Sequence, residues 1–302
     1  MRAFLLFLSR HEGFKNFALN FRIFRKTALR FIAGETLDDA IRVVREMNRG
    51  KISGTLDLLG EETQSREDAL SASREVIEVL DRIELERVDC NVSVKLTQLG
   101  LASDKEFGGQ NLLRIASHAR ERGNFVRVDM EDSRYTQTTL ETVIRVHEQL
   151  NNVGTVIQAY LHRSEQDVAE LLKKGIRIRL VKGAYLEPKE VAFRRKHDTN
   201  ANFLKLMKML LESKTYNAIA THDEKIITAA IRFAGSRKIP KDRFEFQMLY
   251  GIRRDLQYRL ARDNYRVRVY IPYGRKWYPY LMRRLAERPA NVAFIVRNMF
   301  KG

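Results

Sequence analysis

The sequence predicts an α/β protein, a (β/α)8 TIM-like barrel preceded by an N-terminal helical arm. Three observations predict it. From Lys51 onward, short apolar runs alternate with amphipathic helical stretches eight times over 252 residues, and such a barrel takes about 250. No Gly-x-Gly-x-x-Gly follows the first run, which argues against an open dinucleotide-binding sheet. Nearly every run ends on a polar or ionisable residue, as a barrel with a functional rim requires.

Residues 1–50 form the arm. Phe4, Leu5, Phe7, Leu8, Phe14, Phe17, Phe21 and Phe24 recur at helical intervals, with Arg2, Arg10, Lys15, Arg22, Arg25 and Lys26 between them. This cationic amphipathic pattern fits packing on the main domain, and it also fits a foot on an anionic membrane. A second helix is capped by Thr36, with Asp38 and Asp39 at its positive end, and runs to about Arg49.

The barrel occupies 51–302. Strands are expected at 52–58, 90–96, 125–129, 153–159, 176–181, 217–221, 244–248 and 267–271. The first is weakened by Gly54. Helices are expected near 65–85, 109–122, 136–151, 164–174, 189–213, 223–236 and 251–264, and a last one after Trp277. In the fifth strand Arg177 and Arg179 alternate with Ile176, Ile178 and Leu180, so one face is polar and the other apolar. Lys182, Gly183 and Tyr185 follow at once, two cations and an aromatic ring suited to an anionic, planar ligand. Gly183 marks a place where something approaches the backbone closely.

Composition bounds the function. The chain has 302 residues, 44% hydrophobic and 31% charged, enough apolar content for a large core. One cysteine, Cys90, rules out an internal disulfide framework and fits a reducing compartment. The net charge is +17, and residues 251–302 alone carry thirteen Lys and Arg against three acids. Such a balance suits anionic lipid or an anionic cofactor. No zinc spacing and no nucleic-acid-binding motif accompanies it, so neither metal nor nucleic acid is expected. No run reaches the roughly 18 apolar residues of a membrane span. The first eight residues are too short a hydrophobic stretch for a secretory signal.

Read in order, the strand ends deliver Asp57, Lys95, Asp129, Gln158, Arg179 with Lys182, Thr221 with His222, Gln247 and Tyr270. Lys95 lies inside an apolar run, where an unpaired cation is very costly. It needs a carboxylate such as Asp57 or Asp129, or it serves as a Schiff-base nucleophile. His222 either caps the following helix or touches a phosphate. Arg283 and Glu287 sit four apart and can pair along one helix face, which leaves Arg284 free to grip a carboxylate.

Seven ordered motifs now carry a resemblance: Val92-Ser-Val-Lys-Leu, Val126-Arg-Val-Asp-Met-Glu, Val156-Ile-Gln-Ala-Tyr, Arg179-Leu-Val-Lys-Gly-Ala-Tyr, Ala220-Thr-His-Asp, Glu245-Phe-Gln-Met-Leu-Tyr-Gly and Tyr280-Leu-Met-Arg-Arg-Leu-Ala-Glu. Together they resemble the proline dehydrogenase family, across most of 52–300, and at this length its monofunctional type. The resemblance implies oxidation of L-proline to 1-pyrroline-5-carboxylate, with hydride passing to the N5 atom of FAD and electrons to a membrane quinone. It implies that Asp129 and Arg179 act in the active site, Arg179 near the flavin N5. Lys95, Arg283 and Arg284 would hold the substrate carboxylate, and Tyr185, Leu249 and Tyr270 would wall the ring. Met130, Ile157, Gln158, Lys182, Gly183, Ala184, Thr221 and His222 would line the cofactor. It also implies a peripheral place at the inner face of a cytoplasmic membrane, with a mitochondrial setting left open. Two other readings stand beside it: a Schiff-base aldolase using Lys95 or Lys182, and a basic binding protein without catalysis.

Overall fold

The computed structural model describes residues 29–60 and 62–287, with 283–287 given as helix only. Eight parallel strands close into a barrel in sequence order, each pairing with its neighbours and the eighth with the first. The strands are β1 (Ser53–Leu58), β2 (Cys90–Val94), β3 (Val126–Val128), β4 (Val153–Gln158), β5 (Ile178–Val181), β6 (Asn217–Ala220), β7 (Phe244–Leu249) and β8 (Arg266–Tyr273). The helices are α1 (Leu37–Arg49), α2 (Arg66–Leu85), α3 (Lys105–Glu121), α4 (Ser133–Leu150), α5 (Ser164–Lys173), α6 (Lys196–Glu212), α7 (Glu224–Ser236), α8 (Arg254–Arg262) and α9 (Trp277–Glu287). The expected barrel is therefore present. The first 28 residues of the expected arm lie outside the described residues.

Period-two alternation divides every strand between two environments. Outward positions such as Leu56, Val92, Val128, Ile178, Leu180, Ile219, Phe246 and Val269 are buried under the helices and join one apolar cluster. Each such side chain contributes roughly 1.5–3 kcal/mol on burial. The inward positions are different. Barrels of this kind are ordinarily filled with Val, Ile and Leu. Here Asp57, Ser93, Arg127, Arg179, Glu245, Gln247 and Arg268 occupy the interior instead. The register places Asp57 beside Ser93, Ser93 beside Arg127, and Gln247 beside Arg268.

Helix α1 packs with the barrel core through Ala40, Ile41, Val44 and Met47. Its capping box is complete: Asp39 N donates to Thr36 Oγ1 at 3.2 Å, and Thr36 N donates to the Asp39 carboxylate at 3.3 Å. Backbone bonds from Ala33 N to Pro272 O and from Gly274 N to Gly34 O tie the lead-in to the end of β8.

Several helix edges differ from expectation for identifiable reasons. Helix α3 begins at Lys105, so Gly109 lies within it rather than at its start. A Cβ on Gly108 would sit 2.7 Å from the Leu101 backbone, so the helix needs a bare surface there. The cap is Asp104, which accepts from Glu106 N and Phe107 N. Helix α6 begins at Lys196, not near 189, because the chain after Pro188 makes one turn, closed by Val191 N and Ala192 N on Pro188 O, and is then pinned by the Leu161–Ala192 bridge. Helix α8 begins at Arg254 after two left-handed residues, Gly251 and Arg253.

The base of the barrel is held by charge. Arg268 Nε donates to both Glu245 oxygens at 3.1 Å, and its Nη1 donates to Gly54 O at 2.6 Å. Tyr216 donates its hydroxyl to Glu245 at 3.0 Å. Removing one partner of a buried pair leaves the other uncompensated. Glu245→Ala should therefore cost about 3–5 kcal/mol in urea denaturation. The Glu245→Ala/Arg268→Met double variant should recover part of that loss; equal destabilisation of single and double variants would contradict a buried pair.

Candidate active site

At the carboxyl ends of the strands lies a cavity of about 1150 Å³. This exceeds the roughly 300–1,000 Å³ typical of small-ligand sites. Asp57, Lys95, Asp129, Met130, Gln158, Arg179, Lys182, Gly183, Ala184, Tyr185, Thr221, His222, Gln247, Leu249 and Tyr270 all border it. Residues contributed by all eight strands or their trailing loops thus meet in one space.

Asp129 is the centre of the network, immediately past β3. Its Oδ1 accepts from Ser93 Oγ at 2.7 Å and from Arg179 Nη1 at 2.7 Å. Its Oδ2 accepts from the Tyr270 hydroxyl at 2.6 Å, and Lys95 Nζ stands 3.5 Å away. Burial alone would raise this carboxyl. Lys95, then Arg179, with hydrogen bonds from Tyr270 and Ser93, overcome that effect and hold it below its ordinary value. Asp129 is therefore ionised at neutral pH.

Lys95 has the carboxylate its position demands. Its Nζ donates to Asp57 Oδ1 at 2.7 Å and to the Tyr270 oxygen at 3.5 Å. Burial opposes its charge, but Asp57 and Asp129 outweigh burial and raise the ammonium above its ordinary value. Burial pushes Asp57 up in turn, with Lys95 opposing. Tyr270 is raised well above the usual phenol by burial and by Asp129, so it remains a neutral donor.

Arg179 is 5% exposed. Its Nε donates to Gln247 Oε1 at 2.5 Å, its Nη1 to Asp129 and Ser93, and its plane lies 5.2 Å from the Tyr270 ring centre. Among the described residues, its buried Nη2 has no hydrogen-bond partner. A buried, unsatisfied guanidinium N–H is costly and marks a place for an acceptor. Gln247 is itself oriented by donating from Nε2 to Glu245.

The cofactor-side residues divide. Gln158 Nε2 donates to Glu131 O at 2.9 Å. Lys182 Nζ pairs with Asp223 at 2.9 Å, and Asp223 also caps α7 by accepting from Lys225 N. His222 is therefore not the cap; its Nε2 accepts from Leu249 N at 3.0 Å. Gly183 has φ +113°, and a Cβ there would overlap the Tyr160 ring. The close approach that the glycine permits is thus made by Tyr160. Ile157 is the exception to the convergence: its side chain joins the outer apolar cluster while Val156 and Gln158 border the cavity. Tyr185 stands at the lip, 37% exposed, beside the exposed Leu186. The side chains of Arg283 and Arg284 lie outside the described residues, although α9 brings the nearby Tyr280 to the cavity.

Sequence reasoning missed Ser93, Tyr280 and the Ser133–Glu187 contact. Glu187 accepts from Ser133 N at 2.7 Å and so ties the loop after β5 to the start of α4. Only the alternation of β2 hinted at Ser93, two residues before Lys95 and on the same face. Among the described residues no group of His, Cys, Asp and Glu gathers in a metal-ligating arrangement. No described helix is long and apolar enough to cross a membrane.

Comparison with known proteins bears on the family and the fold. The proline dehydrogenase family model matches residues 40–297. The chain is 45% identical over 280 residues to Proline dehydrogenase of Deinococcus radiodurans, covering 91% of this chain and 90% of that one. It is 39% identical over 301 residues to Proline dehydrogenase 1 of Bacillus subtilis, covering 100% of this chain and 99% of that one. Among solved structures, proline utilization A from Bdellovibrio bacteriovorus, inactivated by N-propargylglycine, superposes with a TM-score of 0.82 at 29% identity. That match covers 87% of this chain and 32% of the longer one. On the family match and near-full-length identity to its members, this chain belongs to the proline dehydrogenase family.

Proposed function

We propose that this chain oxidises L-proline to 1-pyrroline-5-carboxylate with bound FAD, as the first step of proline catabolism, and passes the electrons to a membrane quinone. The observation that carries this is the convergence of Lys95, Asp129, Arg179 and Tyr270 on one cavity in a chain of this family.

The residues fit a flavin. The unpartnered Arg179 Nη2 offers a donor to an electron-rich ring edge. Gln158 and Lys182 border the same space, as do Thr221 and His222. These groups, with Met130, Gly183, Ala184 and the backbone at Ile157, would hold FAD. When bound, FAD supplies the hydride acceptor for the C5 carbon of proline. Arg179 contributes fixed positive charge where negative charge gathers on reduction.

Lys95 holds its proton across the neutral range and, with Arg283 and Arg284, would bind the proline carboxylate. Asp129 fixes Arg179 and Tyr270 in place and keeps Lys95 charged. Tyr270, Tyr185 and Leu249 would wall the pyrrolidine ring. A paired, fully protonated Lys95 is a poor amine nucleophile, which counts against the Schiff-base alternative. The basic N-terminal stretch and the quinone acceptor together suggest peripheral contact with the inner face of a cytoplasmic membrane.

Purified protein should be yellow, and proline should bleach it; a colourless protein with no dye reduction by proline would overturn the proposal. Arg284→Met should raise KM for proline about 10- to 100-fold, the cost of losing a sheltered charged hydrogen bond, while flavin stays bound. Lys95 is raised, Asp129 lowered and Tyr270 raised, so none of them changes state between neutral and mildly alkaline pH. The rate should then follow deprotonation of the substrate nitrogen: kcat/KM rises with pH as one ionisation, and a fall over the same range would contradict this. Deleting residues 1–30 should lower binding to anionic vesicles and spare turnover with a soluble dye.

A further inference from the structure

The opposite mouth of the barrel carries a second cavity, of about 350 Å³, ringed by the starts of β2 and β3 and the turns before them. It is cation-rich. Arg127, Arg177, Arg268, Arg122 and Arg87 line it against Glu84, Asp89 and Glu245. The acids are largely engaged. Glu245 holds Arg268, Glu84 holds Arg122 at 3.1 Å, and Asp89 accepts from Ser53 Oγ at 2.6 Å. Among the described residues, no carboxylate forms an ion pair with Arg127 or Arg177.

Arg127 is the anomaly. It is 4% exposed, and its Nη1 is spent on two backbone carbonyls, Thr155 O at 2.9 Å and Arg177 O at 2.6 Å. Its Nε is buried with no acceptor among the described residues. Burial, and repulsion from Arg179, Arg177 and Arg268, disfavour its charge, with Glu245 alone opposing. Arg127 and Arg177 stand on the Phe125 ring at 4.9 and 5.0 Å, so two guanidiniums are gathered around one aromatic side chain. A cation ring content with solvent would not need a buried member. An anion in the cavity supplies the missing acceptor and offsets the repulsion.

We propose that this N-terminal cavity is a binding site for a small multivalent oxyanion of the phosphate class, held by Arg127 and Arg177 and separate from the catalytic mouth. Its floor is continuous with that mouth through side chains: Arg268 holds Glu245, Glu245 orients Gln247, and Gln247 holds Arg179. The site stands whether or not the catalytic reading does, because it uses none of the same cavity.

The test is equilibrium dialysis of the flavin-loaded protein against radiolabelled inorganic phosphate at constant ionic strength, with thermal unfolding in phosphate and in chloride alongside. The expected result is one saturable phosphate per chain and a higher unfolding midpoint in phosphate. Arg177→Met, an exposed position, should fold normally and weaken binding about tenfold or more. Arg127→Met should abolish binding, and if it fails to fold, the wild-type and Arg177→Met results decide. No saturable binding would overturn the proposal. So would binding of unchanged strength in Arg177→Met, which would place the anion elsewhere.

Discussion

The Asp129 carboxylate is the constraint on which the rest of the site depends. It takes hydrogen bonds from β2, β5 and β8 through Ser93, Arg179 and Tyr270, and stands against Lys95. A single anion thereby fixes side chains that are as many as 177 residues apart in sequence. Its charge survives burial because Lys95 and Arg179 face it and Tyr270 and Ser93 donate to it, and the Lys95 ammonium is in turn held charged by Asp57 and by Asp129 itself. The arrangement is reciprocal, so none of its members is removable alone without leaving an uncompensated charge.

This network is the upper end of a polar column along the barrel axis. Below it, Gln247 joins Arg179 to Glu245, and Glu245 joins Arg268 at the base. An apolar barrel interior would be more stable by area alone. The polar filling gives up part of that stability and in return fixes the rotamers of the groups facing the cavity. Stability is supplied on the outside, where the opposite face of each strand packs under the helices. The two functions of the sheet are thus separated by strand alternation.

Much of this was legible in the residues. Eight apolar runs with intervening helical stretches announced a closed barrel, and polar strand ends announced a functional rim. The demand that Lys95 find a carboxylate was met by Asp57 and Asp129, both named in advance. The misplaced edges have local causes that a single sequence hides. Gly109 reads as the start of a helix that begins at Lys105, because the bare surface of Gly108 packs against Leu101, and the stretch after Pro188 reads as helix but makes a single turn and then pairs Ala192 with Leu161. Ile157 shows what a motif leaves open: its neighbours face the cavity, while alternation turns its own side chain away and leaves only its backbone for a ligand in that space.

By itself the sequence determined the order of elements, the face of each strand that is polar, and the residue types at the rim, because period-two alternation and turn chemistry are local properties of the chain. Only the tertiary structure decided which charges meet. Closing the ring brings β8 against β1, so Tyr270 reaches Asp129 from 141 residues away and Arg268 reaches Gly54 from 214 residues away. Among the described residues it also left one guanidinium nitrogen of Arg179 and one of Arg127 without a hydrogen-bond partner. Those positions arise from the packing of distant elements, and no local pattern encodes them.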